Sequence, residues 1–458
     1  MITNDTIAAI ATPIGTAGIG VIRMSGASAL EIAARIFRSH NPITTDFPSH
    51  TARYGTVISS ITSDPIDDAV LTFFRGPKSY TGEDVVEISC HGSIAVLKAV
   101  LSAVLDAGAR IAEPGEFTRR AFLNGKMDLA QAEAVNDLIH ARTDGARKIA
   151  LSQLEGTLSD TIRIANNRIL GMIAAVEAAI DFPDDVPEPE PQWLMDEASA
   201  ARELLLGLLS SFGRGRIYRE GLRVVIAGKV NVGKSSLLNA LLRHARAIVT
   251  PIPGTTRDVI EESLEIRGIP VVAIDTAGLR PTDDPVEKIG IERTRESMDS
   301  ADIVLLVADV SDGLDIADLR ESIDPSTPSI IVLNKIDLLS NHAEDLEKRL
   351  SSLNIPAVRT SAASGQGIDE LEDLIASLAA SNGMGGEGVM VSNIRHQRSI
   401  ESACESLAHT IETIKSSQPI DFLSVDLLAA RNSLGLITGE TAEEDLLDRI
   451  FSEFCIGK

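Results

Sequence analysis

Aromatic residues are scarce, at 3% of 458, and tryptophan occurs once. The hydrophobic fraction is still 44%, so the core must rest on Leu, Ile, Val and Ala. That favours helices and α/β layers over an aromatic sandwich. Cysteine is also sparse. Cys90, Cys404 and Cys455 are too few and too scattered for a disulfide framework or a four-cysteine zinc site, and they fit a reducing cytoplasm. The first residues carry Asp5 and only short apolar runs, so no secretory leader is expected. No run of about 18 apolar residues occurs, so no membrane-spanning helix is expected. Basic residues are outnumbered, 42 Lys and Arg against 66 Asp and Glu, giving a net charge of −24. That argues against a broad basic face that wraps nucleic acid. It does not exclude a local basic patch, or a partner that carries most RNA contacts.

At about 150 residues per domain, the length suggests roughly three domains. Residues 1–118 read as mixed α/β: apolar runs Gly20–Met24, Ala69–Phe74 and Val85–Ile88 alternate with helical text at Ala27–Phe37 and Ile94–Ala107. Residues 119–215 become Ala/Leu-rich and helically periodic, with Gly145 and Gly156 as expected breaks. The proline-rich stretch Asp181–Pro191 cannot continue a helix. Residues 216–379 repeat a strand–loop–helix rhythm, with buried strands expected at Val224–Ala227, Val271–Ile274, Ile303–Ala308, Ile330–Leu333 and Ala357–Thr360. That is the pattern of a parallel, doubly wound sheet. Gly383–Gly388 reads as a flexible joint, and residues 380–458 turn helical again. Helical text on both sides of an α/β domain implies one discontinuous bundle with that domain inserted.

The most specific feature is Gly228-Lys229-Val230-Asn231-Val232-Gly233-Lys234-Ser235, between a strand-like run and the helical run Ser236–Leu242. Its glycines let the backbone turn tightly and aim N–H groups, including those of Val232, Gly233 and Ser236, at phosphate oxygens ahead of a helix N-terminus. Lys234 can reach the β/γ-phosphates and Ser235 can hold Mg²⁺. The competing reading is a glycine-rich turn with a stray lysine. By composition, such a match arises by chance at a rate on the order of a percent.

Four further motifs fall at strand ends or between strands, where an open parallel sheet forms its crevice. Asp275-Thr276-Ala277-Gly278 offers a carboxylate for water-mediated Mg²⁺ contact and an N–H for a γ-phosphate. Gly254-Thr255-Thr256-Arg257-Asp258, preceded by Thr250-Pro251-Ile252-Pro253, lies between the two, and Thr256 can coordinate Mg²⁺ when a γ-phosphate is present, as an order–disorder switch requires. In Asn334-Lys335-Ile336-Asp337, a carboxylate is acceptor-only, so Asp337 matches the N1–H and N2–H₂ donors of guanine and mismatches adenine. Asn334 can tie the loops together and the Lys335 stem can cover the base. Ser361-Ala362-Ala363 can present N–H groups to the guanine oxygen. The chemistry is phosphoryl transfer from GTP to water. Leu279 stands where a glutamine could have oriented that water, so another group must compensate. The Asn231 side-chain carbonyl, with carbonyls of the Thr250–Thr255 loop, could cage a monovalent cation. Glu287 could position water, although spacing alone favours a solvated surface residue.

Beyond these motifs, the whole chain resembles the MnmE (TrmE) family of bacterial tRNA-modification GTPases. The resemblance rests on Asp5–Pro13 with Gly18–Gly26, Tyr80–Glu87, Cys90-His91-Gly92, Pro114–Lys126, Glu177–Pro183 and the ending Phe454-Cys455-Ile456-Gly457-Lys458. Departures are small: Val230 where proline is frequent, Ala363 where a basic residue is common, and Ser93 in place of glycine.

The resemblance implies an N-terminal α+β domain that dimerises and binds a reduced folate of the 5-formyl- or 5,10-methylene-tetrahydrofolate type, through Arg23, Glu87, Lys126 and Lys458. It implies a Ras-like P-loop G domain dependent on K⁺, with Asn231, Thr250, Ile252 and Thr255 as K⁺ ligands and Ser235 and Thr256 as Mg²⁺ ligands. Glu287 would then orient the attacking water after all. It also implies a FAD-dependent partner, MnmG, in a heterotetramer that modifies C5 of the wobble uridine of certain tRNAs. Cys455 keeps two readings: a reactive thiol in that chemistry, or a reduced thiol in a tail near the folate. Two other classes stay open on the nucleotide motifs alone: a regulatory GTPase of ribosome assembly, and a folate-dependent one-carbon transferase with a fused switch.

Overall fold

In a computed structural model, the structure describes residues 5–229, 231–247, 260–275, 301–310, 327–338, 355–381 and 388–458. The chain forms two compact units: Met1–Asn136 with Leu154–Ser159 and Arg431–Lys458, and Asp137–Gln153 with Asp160–Ala430.

The first unit is built on a seven-stranded sheet. Its strands are β1 (Ile7–Ile10), β2 (Ala17–Ser25), β3 (Phe37–Arg38), β4 (Thr51–Ile58), β5 (Pro65–Phe74), β6 (Val85–Gly92) and β7 (Arg110–Ile111), in the order β3-β4-β5-β6-β2-β1-β7. All neighbours are antiparallel except β1 and β7. Alternating side chains from β2, β5 and β6, among them Ile22, Met24, Leu71, Phe73 and Ile88, are fully buried against α1 (Ala29–Ile36) and α2 (Ile94–Asp106). Ser93 is the N-cap of α2, its hydroxyl accepting the Val96 N–H at 3.2 Å. A third helix, α3 (Glu116–Leu123), starts after Gly115 at φ +66°, where a Cβ would stand 2.6 Å from the Phe451 carbonyl. The C-terminal helix Glu444–Ser452 packs here too, with Phe451 and Phe454 against Leu129 and Ala132.

Helical text from residue 129 resolves into α4 (Leu129–His140), α5 (Asp144–Leu154) and α6 (Thr157–Asp181). Gly156, at φ +94°, sits at the second break as expected. Gly145 does not mark the first: it is the second residue of α5, and the Tyr218 ring packs where its Cβ would be, at 2.4 Å. Pro191 stands at the start of α7 (Pro191–Ser210), where a missing N–H costs nothing. Buried Leu194, Ala198, Ala201, Leu205 and Leu208 repeat every three or four residues along α7 and form its packing face. Another helix, α8 (Phe212–Glu220), leads to the second sheet.

That sheet also has seven strands: β8 (Leu222–Ala227), β9 (Arg246–Ala247), β10 (Ile260–Ile266), β11 (Ile269–Asp275), β12 (Ile303–Asp309), β13 (Ser329–Asn334) and β14 (Ala357–Arg359). The order is β14-β13-β12-β8-β11-β10-β9. The five expected strands are present and mutually parallel. Two strands not foreseen, β10 and β9, extend the sheet antiparallel. The two-residue β9 forms the edge, as suits a sheet end, and β10 alternates buried Leu264 and Ile266 with polar residues. The core lies between the sheet and the helices α9 (Lys234–His244) and α10 (Ile368–Ser381). Residues 383–387 of the expected joint lie outside the described residues. Beyond it, α11 (Ile394–Lys415) returns to pack on α7, and the Arg202 Nε donates to the Cys404 carbonyl at 3.3 Å. Helical segments from either side of the inserted sheet therefore share one bundle.

Candidate functional site

At the carboxyl end of β8 the chain turns through the phosphate loop. Gly228 takes φ +148° and lies so close to β12 that a Cβ would sit 2.3 Å from the Val307 carbonyl. Gly233 takes φ +97°, and a Cβ there would sit 2.4 Å from Asn334 Nδ2. Both positions require glycine. Asn231 takes a positive φ of +66° between them. Lys234 opens α9 and is buried, its ammonium donating to the carbonyls of Gly228 (2.7 Å) and Lys229 (2.8 Å). Burial holds its pKa below the ordinary lysine range, against the opposing pull of Asp275. A lysine with a lowered pKa beside a nest of backbone donors is poised to gain from an arriving polyanion.

Next along α9, the Ser235 hydroxyl donates to Asp275 Oδ2 at 2.7 Å. Asp275 ends β11, the parallel neighbour of β8, and is 6% exposed. A hydroxyl from the first turn of α9 and a carboxylate from the end of β11 thus meet beside the loop, an all-oxygen pair suited to a hard cation such as Mg²⁺.

The far side of the crevice is tied to the loop by side chains. Asn334, 1% exposed at the end of β13, donates from Nδ2 to the Val232 carbonyl at 2.9 Å. Its Oδ1 accepts the Ala362 N–H at 3.1 Å and the Thr360 hydroxyl at 3.4 Å. One side chain therefore joins three loops, as the sequence suggested. Lys335 takes φ +67°, and its ammonium donates to the Asn231 carbonyl at 2.8 Å and to Asp309 at 2.5 Å. Asp337 lies in the one-turn helix Ile336–Leu338 and accepts the Ser361 hydroxyl at 2.6 Å. Ala363 is exposed in the turn that follows Ser361, and Ser236 is exposed on α9. Asp309 and Thr360 are additions that the sequence reading missed. Asp309 ends β12 as Asp275 ends β11, and that parallel placement was the available signal.

Thr250, Pro251, Ile252, Pro253, Gly254, Thr255, Thr256, Thr276, Ala277, Gly278 and Glu287 lie outside the described residues, as do Val230 and Leu279. Of the expected K⁺ ligands only Asn231 is described, and of the Mg²⁺ ligands only Ser235.

A second cluster stands in the N-terminal unit. Arg23 on β2 faces Glu87, its register partner on β6, and donates to Glu87 Oε1 from Nε (2.9 Å) and Nη2 (2.8 Å). Its Nη1 donates to the Gly457 carbonyl at 3.3 Å. The guanidinium lies over the rings of Tyr80 (5.5 Å to the centroid) and Phe117 (5.8 Å), the latter fully buried. Tyr80 and Phe117 are residues the sequence reading did not single out. The tail is seated by an antiparallel bridge of Ile456 with Pro114, and Gly457, at φ +98°, would place a Cβ 2.5 Å from the Ile10 carbonyl. Burial and the nearby Arg23 lower the Lys458 ammonium pKa, with Glu87 and Cys455 opposing. The structure thus brings Arg23, Glu87 and Lys458 together. Lys126 is engaged separately, donating to the Pro77 carbonyl at 3.0 Å. Cys455 is exposed, while burial pushes the Cys90 thiol up to about 11. Behind this cluster, buried Arg120 binds Asp5 (2.6 Å), Glu83 (3.2 Å) and Glu116 (3.3 Å), fixing the start of β1 to α3.

An inserted, mainly parallel α/β sheet with a glycine-bound lysine–serine loop at its central strand defines a GTPase of the P-loop class. Residues 129–455 match the family model of the MnmE helical domain, and residues 6–126 match that of the GTP-binding protein TrmE N-terminus. The tRNA modification GTPase MnmE of Acetivibrio thermocellus is 46% identical over 465 residues, covering 100% of both chains. That of Desulforamulus reducens is 47% identical over 460 residues, covering 99% of this chain and 100% of the relative. The chain belongs to the MnmE (TrmE) family of tRNA-modification GTPases. Among solved structures, the G domain of the T. maritima FeoB iron transporter aligns at 31% identity, with a TM-score of 0.27, over 34% of this chain and 98% of that one. Among the described residues, no helix is long and apolar enough to cross a membrane.

Proposed function

We propose that this protein is a K⁺-dependent GTP hydrolase of tRNA modification. With a FAD-dependent MnmG partner and a reduced folate as one-carbon donor, it drives addition of a (carboxymethyl)aminomethyl group to C5 of the wobble uridine, position 34, of certain tRNAs. It acts in the cytoplasm as a homodimer, in a heterotetramer with MnmG that supplies much of the tRNA contact. The observation that carries the nucleotide reading is Asn334, which locks the guanine-reading loop onto the phosphate loop at 2.9 Å.

In this reading Lys234 leaves the Gly228 and Lys229 carbonyls for β/γ-phosphate oxygens. Ser235 and Thr256 would hold Mg²⁺, whose charge would offset that of the phosphates. Asn231, Thr250, Ile252 and Thr255 hold K⁺ in the role an arginine finger has elsewhere. Glu287 orients the water whose oxygen attacks the γ-phosphorus, so GDP leaves and phosphate and a proton are released. Asp337 selects guanine. In the N-terminal unit, Arg23 and Lys458 offer cations and Tyr80 an aromatic face to an anionic, heterocyclic folate, with Glu87 orienting Arg23 and accepting ring N–H groups. Lys126 adds a further cation, and Cys455 stands as a reactive thiol or as part of the tail's packing.

Two measurements test this reading. Mass analysis of wobble-uridine nucleosides in cells lacking the gene is expected to show loss of the modification; an unchanged nucleoside profile overturns the tRNA role. GTP turnover is expected to fall sharply when K⁺ is replaced by Na⁺, and equal rates in both salts remove the Asn231 cage.

A further inference from the structure

At the far end of α9 from Lys234, a separate group of chemistry-bearing side chains gathers. His244, the last residue of α9, lies with Nδ1 3.4 Å from Glu372 Oε1 and Nε2 3.6 Å from Asp369 Oδ2. Both carboxylates belong to the first turns of α10. One ligand atom from each of the three residues lies within 4.8 Å of the others.

Glu372 is the informative member. It is 4% exposed, and its buried Oε1 accepts no hydrogen bond among the described residues. A buried carboxylate oxygen without a donor is costly, and a charged one more so. Arg267, in the turn between β10 and β11, only partly answers it: Nη1 stands 3.6 Å from Glu372 Oε2, while its short contacts go to Asp373 (2.8 Å) and Asp369 (3.0 Å). Among the described residues, three carboxylates thus face one guanidinium, a surplus of two negative charges when the imidazole is neutral.

We propose that His244, Glu372 and Asp369 form a binding site for a divalent ion of the zinc class, with water completing the shell. In a tetrahedral zinc site with bonds of about 2.0–2.2 Å, neighbouring ligand atoms lie about 3.3–3.6 Å apart. The His244 Nδ1 to Glu372 Oε1 separation of 3.4 Å already has that spacing. The Asp369 side chain is 68% exposed and can rotate in as third ligand, while Arg267 keeps Asp373 as its partner. An imidazole in the set selects a borderline ion over Mg²⁺, which prefers oxygen. The ion would pin the C-terminus of the phosphate-loop helix to α10.

The test uses the full-length protein, stripped with a chelator and kept in excess Mg²⁺, titrated with Zn²⁺ against a chromophoric chelator. One equivalent is expected to bind wild type. Its affinity should fall by more than about 100-fold in Glu372→Gln and in His244→Asn, since loss of even an outer-shell partner costs about 10–100-fold. Asp373→Asn and Ser235→Ala should keep that equivalent. Co²⁺ should give visible absorption in wild type that both ligand variants lose. His244 is largely at the surface, so its variant carries the test even if Glu372→Gln disturbs the fold. Failure of wild type to bind Zn²⁺, or equal affinity and stoichiometry in wild type and His244→Asn, would overturn the proposal.

Discussion

The phosphate-loop end of the parallel sheet and the tail-closed face of the N-terminal sheet both collect charge, but they assemble it differently. The first uses short loops at the ends of neighbouring parallel strands, so Lys234, Ser235, Asp275 and Asn334 are positioned by the sheet itself. The second joins residues 434 apart in sequence, with Arg23 on a strand and Gly457 in the last residues of the chain. A site formed by strand ends is as rigid as its sheet. A site closed by the tail depends on how firmly that tail is seated, here by the Pro114–Ile456 bridge, the left-handed Gly457, the Arg23 bond to its carbonyl and the packing of Phe454.

Substitutions that strike one end and spare the other sharpen this contrast. Lys234→Ala should have the largest effect, lowering GTP turnover on the order of 10²–10³-fold, as loss of one charge-stabilising donor does; phosphate release at saturating GTP checks it. Arg23→Ala should weaken binding of a reduced folate by about ten- to a hundredfold, from a charged hydrogen-bond loss of roughly 1.5–3 kcal/mol. Calorimetric titration with 5-formyl-tetrahydrofolate measures that loss, and unchanged affinity would remove the folate from this face. Asn334→Ala leaves the Val232 carbonyl without its donor and the Ala362 N–H without its acceptor, and should destabilise the nucleotide unit by about 1–3 kcal/mol in denaturant unfolding.

The smallest effect is pH-dependent. Burial alone would raise the Glu116 carboxyl, but Arg110, the Glu113 N–H and Arg120 outweigh it and hold its pKa below the ordinary glutamate range. A group with a depressed folded pKa stabilises above its unfolded value, and that contribution fades as pH falls through the folded value. Glu116→Gln should therefore cost stability near neutral pH and flatten the loss on the acid side, seen by thermal unfolding across an acid series.

The same contrast explains what the sequence made legible. The nucleotide loop is contiguous, and Asp275 and Asn334 each end a buried apolar strand, so strands and site could be read together. Asp309 and Thr360 escaped because each is a single residue with no motif around it, made relevant only when β12 and β14 reach the crevice. The alternating strand β10 lacks the apolar run that marks its neighbours, and Gly145 reads as a helix break although it lies inside α5 against the Tyr218 ring. At the tail, Arg23, Glu87 and Lys458 were indicated by family resemblance alone, because no local pattern connects a strand arginine to a terminal carbonyl. Tyr80 and Phe117 emerged only with the packing around that arginine.

The central claim is that strand-end loops grip a guanine nucleotide whose base is read by Asp337. The most direct measurement is the ratio of kcat/KM for xanthosine triphosphate to that for GTP in Asp337→Asn, with Mg²⁺ and K⁺ present. An amide places a donor opposite the xanthine C2 oxygen, so the ratio should invert from below one in wild type to above one in the variant. A variant that still prefers GTP as strongly as wild type would contradict the account.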